Sequence, residues 1–295
     1  MGIDIDIVLV IFTVCAPAGA VGYALTVLYG LVKEVGGAWD REAQSTMARP
    51  AVPSWERWLA LPIWVCVAGL VASATHLGTP ANALYTLMGF GRSPLSNEIA
   101  AALMFVACSW AQWLTAFVRP LPRIVDRVWL LVSSVAALWL VSRIAVVYSV
   151  STIPTWDIAW VPGILWAQAF AGGASVCAAT LGCARIELPA VVAQALAGAA
   201  LVGVDVGCVL MGLEYEGLLA IRDSYGMAAD LVPGFWWHVA GFGAGGALAV
   251  AGMLLGHRRP VARARRWYVA SAALMLAAVA CARVPFYAMH MTAGL

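Results

Sequence analysis

The sequence predicts an all-α polytopic membrane protein of eight transmembrane helices, one integral domain over residues 1–295. Three observations predict it. The chain is 63% hydrophobic and only 11% charged over 295 residues, with mean hydropathy +0.88. A soluble domain of this size needs far more charge on its surface, so that class is excluded. Apolar runs long enough to cross a hydrocarbon core, about 20 residues each, occur eight times. Lysine and arginine fall almost entirely in alternate connections. Asp4 and Asp6 precede the first run where a cleavable leader would carry basic residues, and the run is too long for a leader's core, so no leader is expected.

The runs cover roughly 7–32, 58–76, 98–118, 125–150, 158–184, 187–213, 233–256 and 266–289. A very short turn at Arg185–Pro189 joins the fifth to the sixth. Small residues mark surfaces where helices approach closely: Ala16–Gly22, Ala171–Ala174, and Gly241–Gly246 with its GxxxG at Gly241 and Gly245. The fourth run ends with Arg143 and Tyr148, the eighth with Arg283 and Tyr287. This echo points to two four-helix bundles related as a parallel repeat.

Orientation follows from the basic residues. One set of connections holds Lys33, Arg41, Arg49 and Arg57; Arg119, Arg123 and Arg127; Arg185; and Arg258, Arg259, Arg263, Arg265 and Arg266. The opposite set holds only Arg92 and Arg222. The positive-inside rule then puts the basic loops in the cytoplasm and both termini outside. The outer connections are acidic, with Asp157, Glu214, Glu216, Asp223 and Asp230, and Trp156, Trp160, Trp236 and Trp237 flank them as an aromatic belt. The longest is expected to run from Glu214 to Val232, with room for a short helix.

A charge in the bilayer costs about 2.5–3.5 kcal/mol on insertion scales, so each needs a partner or a task. Arg143, Asp205 and Arg283 lie within the runs, and threading each helix in its direction puts all three in the outer half. His76, Glu98, His238 and His290 sit at outer ends, and nothing comparable is expected in the inner half. A one-sided set describes a site served from one face, whereas a transporter spreads polar groups along a path or at the midplane. As simple packing, Asp205 would pair with Arg143 or Arg283. His76 would cap a helix end, and Glu98 would start a helix behind Ser96 or Asn97 as cap.

The stretch Thr75–Ile99, which joins the second run to the third, suits quinol oxidation. Two phenolic protons must leave as two electrons go. A neutral histidine accepts one near physiological pH, and a partly desolvated carboxylate takes and passes on another. Neighbouring helices would house an isoprenoid tail. The seven cysteines have no clustered spacing, so no iron–sulfur cluster is expected in this chain. A two-haem relay lacks an inner histidine pair, because His257 sits in a basic loop; His76, His238 and His290 would allow one outer pair at most.

The motifs HLGTP at His76–Pro80 and SPLSNEI at Ser93–Ile99 resemble those of the membrane-anchor subunits of dimethyl sulfoxide reductases. YSVSTIPTWD at Tyr148–Asp157 and RVPFYAMH at Arg283–His290 are similar to that family as well, so the likeness runs along the whole chain. The resemblance implies a subunit of anaerobic respiration that binds and oxidises menaquinol without haem. It would pass electrons to a ferredoxin-like subunit with several [4Fe–4S] clusters, which feeds a molybdopterin catalytic subunit. It assigns quinol binding to His76 and Glu98, and Arg143, Tyr148, Arg283 and His290 complete the expected pocket. Asn97 stands where the family often has arginine, which removes a charge partner from beside Glu98. Besides membrane lipid and these subunits no partner is expected, nucleic acid included. Two alternatives stay open: a polysulfide-reductase type anchor that moves protons through Arg143, Asp205 and Arg283, and a secondary transporter.

Overall fold

Eight helices long and apolar enough to cross a membrane account for most of the computed structural model, which describes residues 6–35, 54–76, 80–118, 121–222 and 226–289. In chain order the helices are α1 (Ile7–Val35), the single turn α2 (Ser54–Trp58) leading into α3 (Ala60–His76), and α4 (Pro94–Val118). There follow α5 (Arg123–Val147), α6 (Val161–Cys183), α7 (Ala190–Ala220), α8 (Phe235–His257) and α9 (Val261–Ala288). Short 3-10 helices occupy Pro80–Gly89 and Ala228–Leu231. Large apolar side chains stay exposed along the flanks, Trp64 and Val71 on α3, Val135 on α5 and Val202 and Val209 on α7 among them. Such a surface suits lipid, not water.

The packing follows the two halves of the sequence. Helices α1, α3, α4 and α5 close a ring, each against the next, and α6 to α9 close a second. The first helices of the two rings, α1 and α6, pack directly on each other. This explains why α6 is buried from Ala171 to Gly182 with no polar face to offer solvent. Alternating helices bring the start of α1 and the end of α9 to one face of the bundle, here the terminal face; the connections rich in arginine lie on the other, the basic face.

Small residues set the close contacts. Along α8 an added Cβ at Gly241 would meet Cys281 Sγ at 2.9 Å and at Gly245 the Cβ of Ala278 at 2.9 Å, so the GxxxG pair seats α8 on α9. Between α1 and α3 the approach is backbone to backbone. A Cβ at Gly19 would strike the amide of Cys66 and lie 2.6 Å from the Pro62 carbonyl. Neither atom can turn away, so Gly19→Val is expected to force the helices apart and cost at least ~1–3 kcal/mol. Thermal unfolding of the detergent-solubilised protein checks this, with Gly198→Ala as the control that leaves the midpoint in place, since nothing lies within 4 Å there.

Three of the helices entering from the basic face share a start device. Pro122, Pro189 and Pro260 precede α5, α7 and α9, with φ of -54°, -56° and -53° and extended ψ. Each fixes the entry of the chain without losing a helical hydrogen bond. The tight α6–α7 turn is closed by Arg185 in the left-handed region at φ 57°, with Ile186 N–H donating to the Leu181 carbonyl. This is the Schellman arrangement that ends a helix sharply.

Two expectations about the ends of the spans need correction. Helix α7 runs to Ala220, seven residues beyond the expected end, because Gly207, Met211, Glu214 and Leu218 continue one buried face. Glu214 and Glu216 are therefore helical and not loop. At the basic face, ionisable groups gather where none were expected. Arg127 donates from Nη1 to Glu56 at 2.8 Å and to Asp126 at 2.8 Å, and from Nη2 to Glu34 at 2.6 Å. Gln112 reaches Asp126 at 3.2 Å, and the guanidinium stands 5.9 Å from the Trp55 ring centroid. One arginine thus ties α1, α2 and α5 together, with α4 joined through Gln112.

Candidate functional site

The loop between α3 and α4 is more ordered in pattern than the sequence implied. After the 3-10 turn at Pro80–Gly89, Gly91 takes φ +81°, a conformation that favours glycine. Its N–H donates to Asn97 Oδ1 at 2.7 Å. Asn97, the departure from the family pattern, thus closes this turn. Helix α4 begins at Pro94, a residue suited to the first helical position, and Ser93 Oγ accepts from the Ser96 N–H at 3.5 Å. Ser93 is therefore the cap, not Ser96 or Asn97, and Glu98 falls in the second turn of α4. There it is 5% exposed, and its Oε2 has no hydrogen-bond partner.

Within electrostatic reach of it are Tyr148 and Tyr287, at the ends of α5 and α9. Tyr148 follows α5 directly and is buried. Trp156, from the α5–α6 connection, stacks on Phe286 of α9 with centroids 5.1 Å apart and planes at 15°, and its indole N–H donates to the Phe286 carbonyl at 3.1 Å. Tyr148 meets Phe286 and Tyr287 edge-on at 5.8 and 5.9 Å. The Tyr287 hydroxyl lies 3.2 Å from the Leu9 carbonyl and 3.1 Å from Thr13 Oγ1, which binds α9 to α1. These four rings make a wall at the terminal face.

Charged groups line the same region. Arg283, one turn before Tyr287, is 1% exposed, stands 5.6 Å from the Phe286 ring, and leaves Nε and Nη2 without partners. Tyr148 and Tyr287 lie within electrostatic reach of both Glu98 and Arg283. Burial, then Tyr287 and Glu98, hold the Tyr148 phenol well above its ordinary range, against an opposing pull from Arg283. Tyr148 therefore keeps its proton and serves as a hydrogen-bond donor. Within electrostatic reach of Arg283, Glu214 of α7 is 2% exposed with Oε1 unpartnered.

The expected site residues divide accordingly. Glu98, Tyr148 and Arg283 come together. Arg143 sits five residues before Tyr148, about 7.5 Å deeper at ~1.5 Å per residue; it is half-buried, and among the described residues no hydrogen bond or ion pair ties it to the others. Asp205 is exposed on α7 and pairs with neither arginine, which corrects that expectation: its position falls on the outward face with Val202, Val206 and Val209. The backbone of His76 closes α3, while its side chain and the whole of His290 lie outside the described residues. His238 has its Nδ1 2.9 Å from the Cys281 carbonyl, a link between α8 and α9. Glu214 was missed because it and the neighbouring Glu216 read as loop; the i, i+4, i+7 recurrence of Gly207, Met211, Glu214 is the signal that finds it.

Buried donors and acceptors without partners are scarce in folded proteins, and Glu98, Arg283 and Glu214 each carry one near the terminal face. Comparison with known proteins places the chain in a family. The family model described as DMSO reductase anchor subunit (DmsC) matches residues 2–289. The C subunit of the anaerobic dimethyl sulfoxide reductase of Escherichia coli (strain K12) is 31% identical over 301 residues, covering 97% of this protein and 96% of that one. The anaerobic dimethyl sulfoxide reductase subunit YnfH of the same organism is 32% identical over 245 residues, covering 79% and 81%. The corresponding C subunit from Haemophilus influenzae is 28% identical over 227 residues, covering 77% and 78%. With its eight apolar helices and a match along nearly its whole length, this multi-pass membrane protein belongs to the DMSO reductase anchor subunit family.

Proposed function

We propose that this subunit oxidises menaquinol at its terminal face, taken as periplasmic from the positive-inside rule, and delivers the electrons to an iron–sulfur subunit docked there. That subunit passes them to a molybdopterin catalytic subunit, and the three form a respiratory complex of the bacterial inner membrane. The observation that carries the reading is Glu98: a carboxyl buried at the rim of a span, unpartnered at Oε2, beside the protonated phenol of Tyr148. A buried carboxyl without a counter-ion is costly as structure and useful as a proton acceptor.

In this reading the quinol ring lies against Tyr148 and its aromatic neighbours. Tyr148 donates a hydrogen bond to a ring oxygen, Glu98 takes a phenolic proton, and His76, at the end of α3, hands it to the water outside. The proton-conducting alternative is less well supported, since Arg143, Asp205 and Arg283 do not form a connected path. The purified complex tests the proposal. Adding a reduced menaquinol analogue should bring up the paramagnetic signals of reduced iron–sulfur clusters in the partner subunit, and protease mapping should place that partner on the terminal face. A complex whose clusters stay oxidised with the quinol present, or whose partner sits on the basic face, would contradict it.

A further inference from the structure

We propose that Arg283 and Glu214 form the second polar end of the quinol site, with Glu214 as acceptor of the second phenolic proton. This rests on the reading that a quinol is oxidised here and adds to it a binding end and a proton acceptor that the hinge does not supply.

A quinol carries its two hydroxyls at opposite ends of the ring. The hinge provides for one. Arg283 and Glu214 come from different helices, α9 and α7, and both are buried. Each lies within electrostatic reach of the other. Even so, the two close no ion pair: Nε and Nη2 of Arg283 and Oε1 of Glu214 all lack hydrogen-bond partners. A pair serving only to hold helices together would make the direct bond, because a buried ion pair is favourable only with good geometry and its hydrogen bonds made. A cation and a carboxylate held near each other but apart match a group that both accepts and donates a hydrogen bond. A phenolic hydroxyl does so, accepting from the guanidinium and donating to the carboxylate. Tyr148 and Tyr287 lie within electrostatic reach of both Glu98 and Arg283, and Arg283 stands 5.6 Å from the Phe286 ring, so the aromatic wall adjoins both ends.

At the hinge the O–H bond breaks, its proton goes to Glu98, and one electron goes to an iron–sulfur centre of the partner subunit. The O–H bond at the far end then breaks, its proton goes to Glu214, and the second electron follows the first; both C–O bonds become C=O. Arg283 keeps its own protons and stabilises negative charge on the far oxygen between the two transfers, as a preorganised cation does.

The test uses the whole complex in membranes, with rates normalised to assembled complex and binding read with a quinone-analogue inhibitor. In Glu214→Gln the kcat for quinol oxidation should fall by about 100-fold, the scale of a lost acid–base group, while inhibitor affinity changes by less than about threefold. Glu214→Asp, which keeps the carboxylate, should assemble and retain more of the rate than Glu214→Gln. If Glu98→Gln is inactive while Glu214→Gln turns over at the wild-type rate, the second end is overturned and the quinol reading stands. If both turn over normally, the quinol reading itself falls. A Glu214→Gln variant that merely yields less complex, with kcat per complex unchanged, makes the pair a packing device and also overturns the inference. Should Glu214→Gln fail to assemble, Glu214→Ala decides: a wild-type kcat per assembled complex in that variant, which has no carboxylate, overturns the assignment, and a fall of about 100-fold supports it.

Discussion

Glu98→Gln is expected to abolish quinol-dependent turnover while the complex assembles normally. Both halves follow from the position of the carboxyl. It lies in the second turn of α4 and takes part neither in the cap at Ser93 nor in the turn closed by Asn97, so the start of the helix does not depend on it. Its Oε2 makes no hydrogen bond that the amide would lose. The replacement has the same shape and removes only the capacity to take a proton, an effect of about 10²–10⁴-fold where a positioned acid–base group is lost. A bound quinone analogue should still be held, since Tyr148 and the aromatic wall are untouched. The decisive measurement is the rate per assembled complex with a quinol analogue as donor, beside the rate with an artificial donor that reduces the partner subunits directly. The first should vanish and the second persist. A rate near wild type with the quinol would mean that the proton leaves by another group.

Much of the fold was readable from the sequence because a bilayer imposes simple rules. Backbone polar groups must be satisfied within each span, so long apolar runs become helices, and eight runs became eight helices. The GxxxG at Gly241 and Gly245 sits on α9 as its small residues imply. What was not readable depends on which way a face turns. Asp205 read as an interior charge needing an arginine, yet the rotation of α7 leaves it on the exposed side, and a charge inside an apolar run carries no mark of direction. Glu214 shows the reverse. Two acids within three residues suggest solvent, but one faces inward and is buried while Glu216, half a turn away, is exposed. At the candidate site the hinge was found through its titratable residues and the motif around them. The approach of Arg283 to Glu98 through two tyrosines was not, because it joins residues about 185 positions apart in a way that only packing decides.

The basic face makes the same point with a larger expected cost. Glu34, Glu56, Asp126 and Arg127 each lie at the edge of a span, where a charge reads as solvated; in the folded chain Glu56 is 4% exposed and Arg127 is its ion-pair partner at 2.8 Å. Removing the arginine leaves that carboxylate buried and uncompensated, a change that typically costs about 3–5 kcal/mol. Arg127→Leu should therefore lower the thermal midpoint and the yield of detergent-solubilised protein more than any single replacement in the aromatic wall. Adding Glu56→Gln to Arg127→Leu should recover part of the loss, since the uncompensated charge is then gone, and the resulting coupling separates this cause from lost packing against Trp55. If Arg127→Leu unfolds at the wild-type midpoint, the cluster does not hold the first ring together. The rate of quinol oxidation per assembled complex is expected to stay unchanged in this variant. Arg127 and Tyr148 sit 21 residues apart along α5 and its C-terminal end, about 30 Å at ~1.5 Å per residue, so loosening the basic end of the ring leaves Glu98, Tyr148 and Arg283 in place. A fall in both stability and rate would mean that the two ends of the ring are mechanically coupled, and that Arg127 acts on the quinol site through α5.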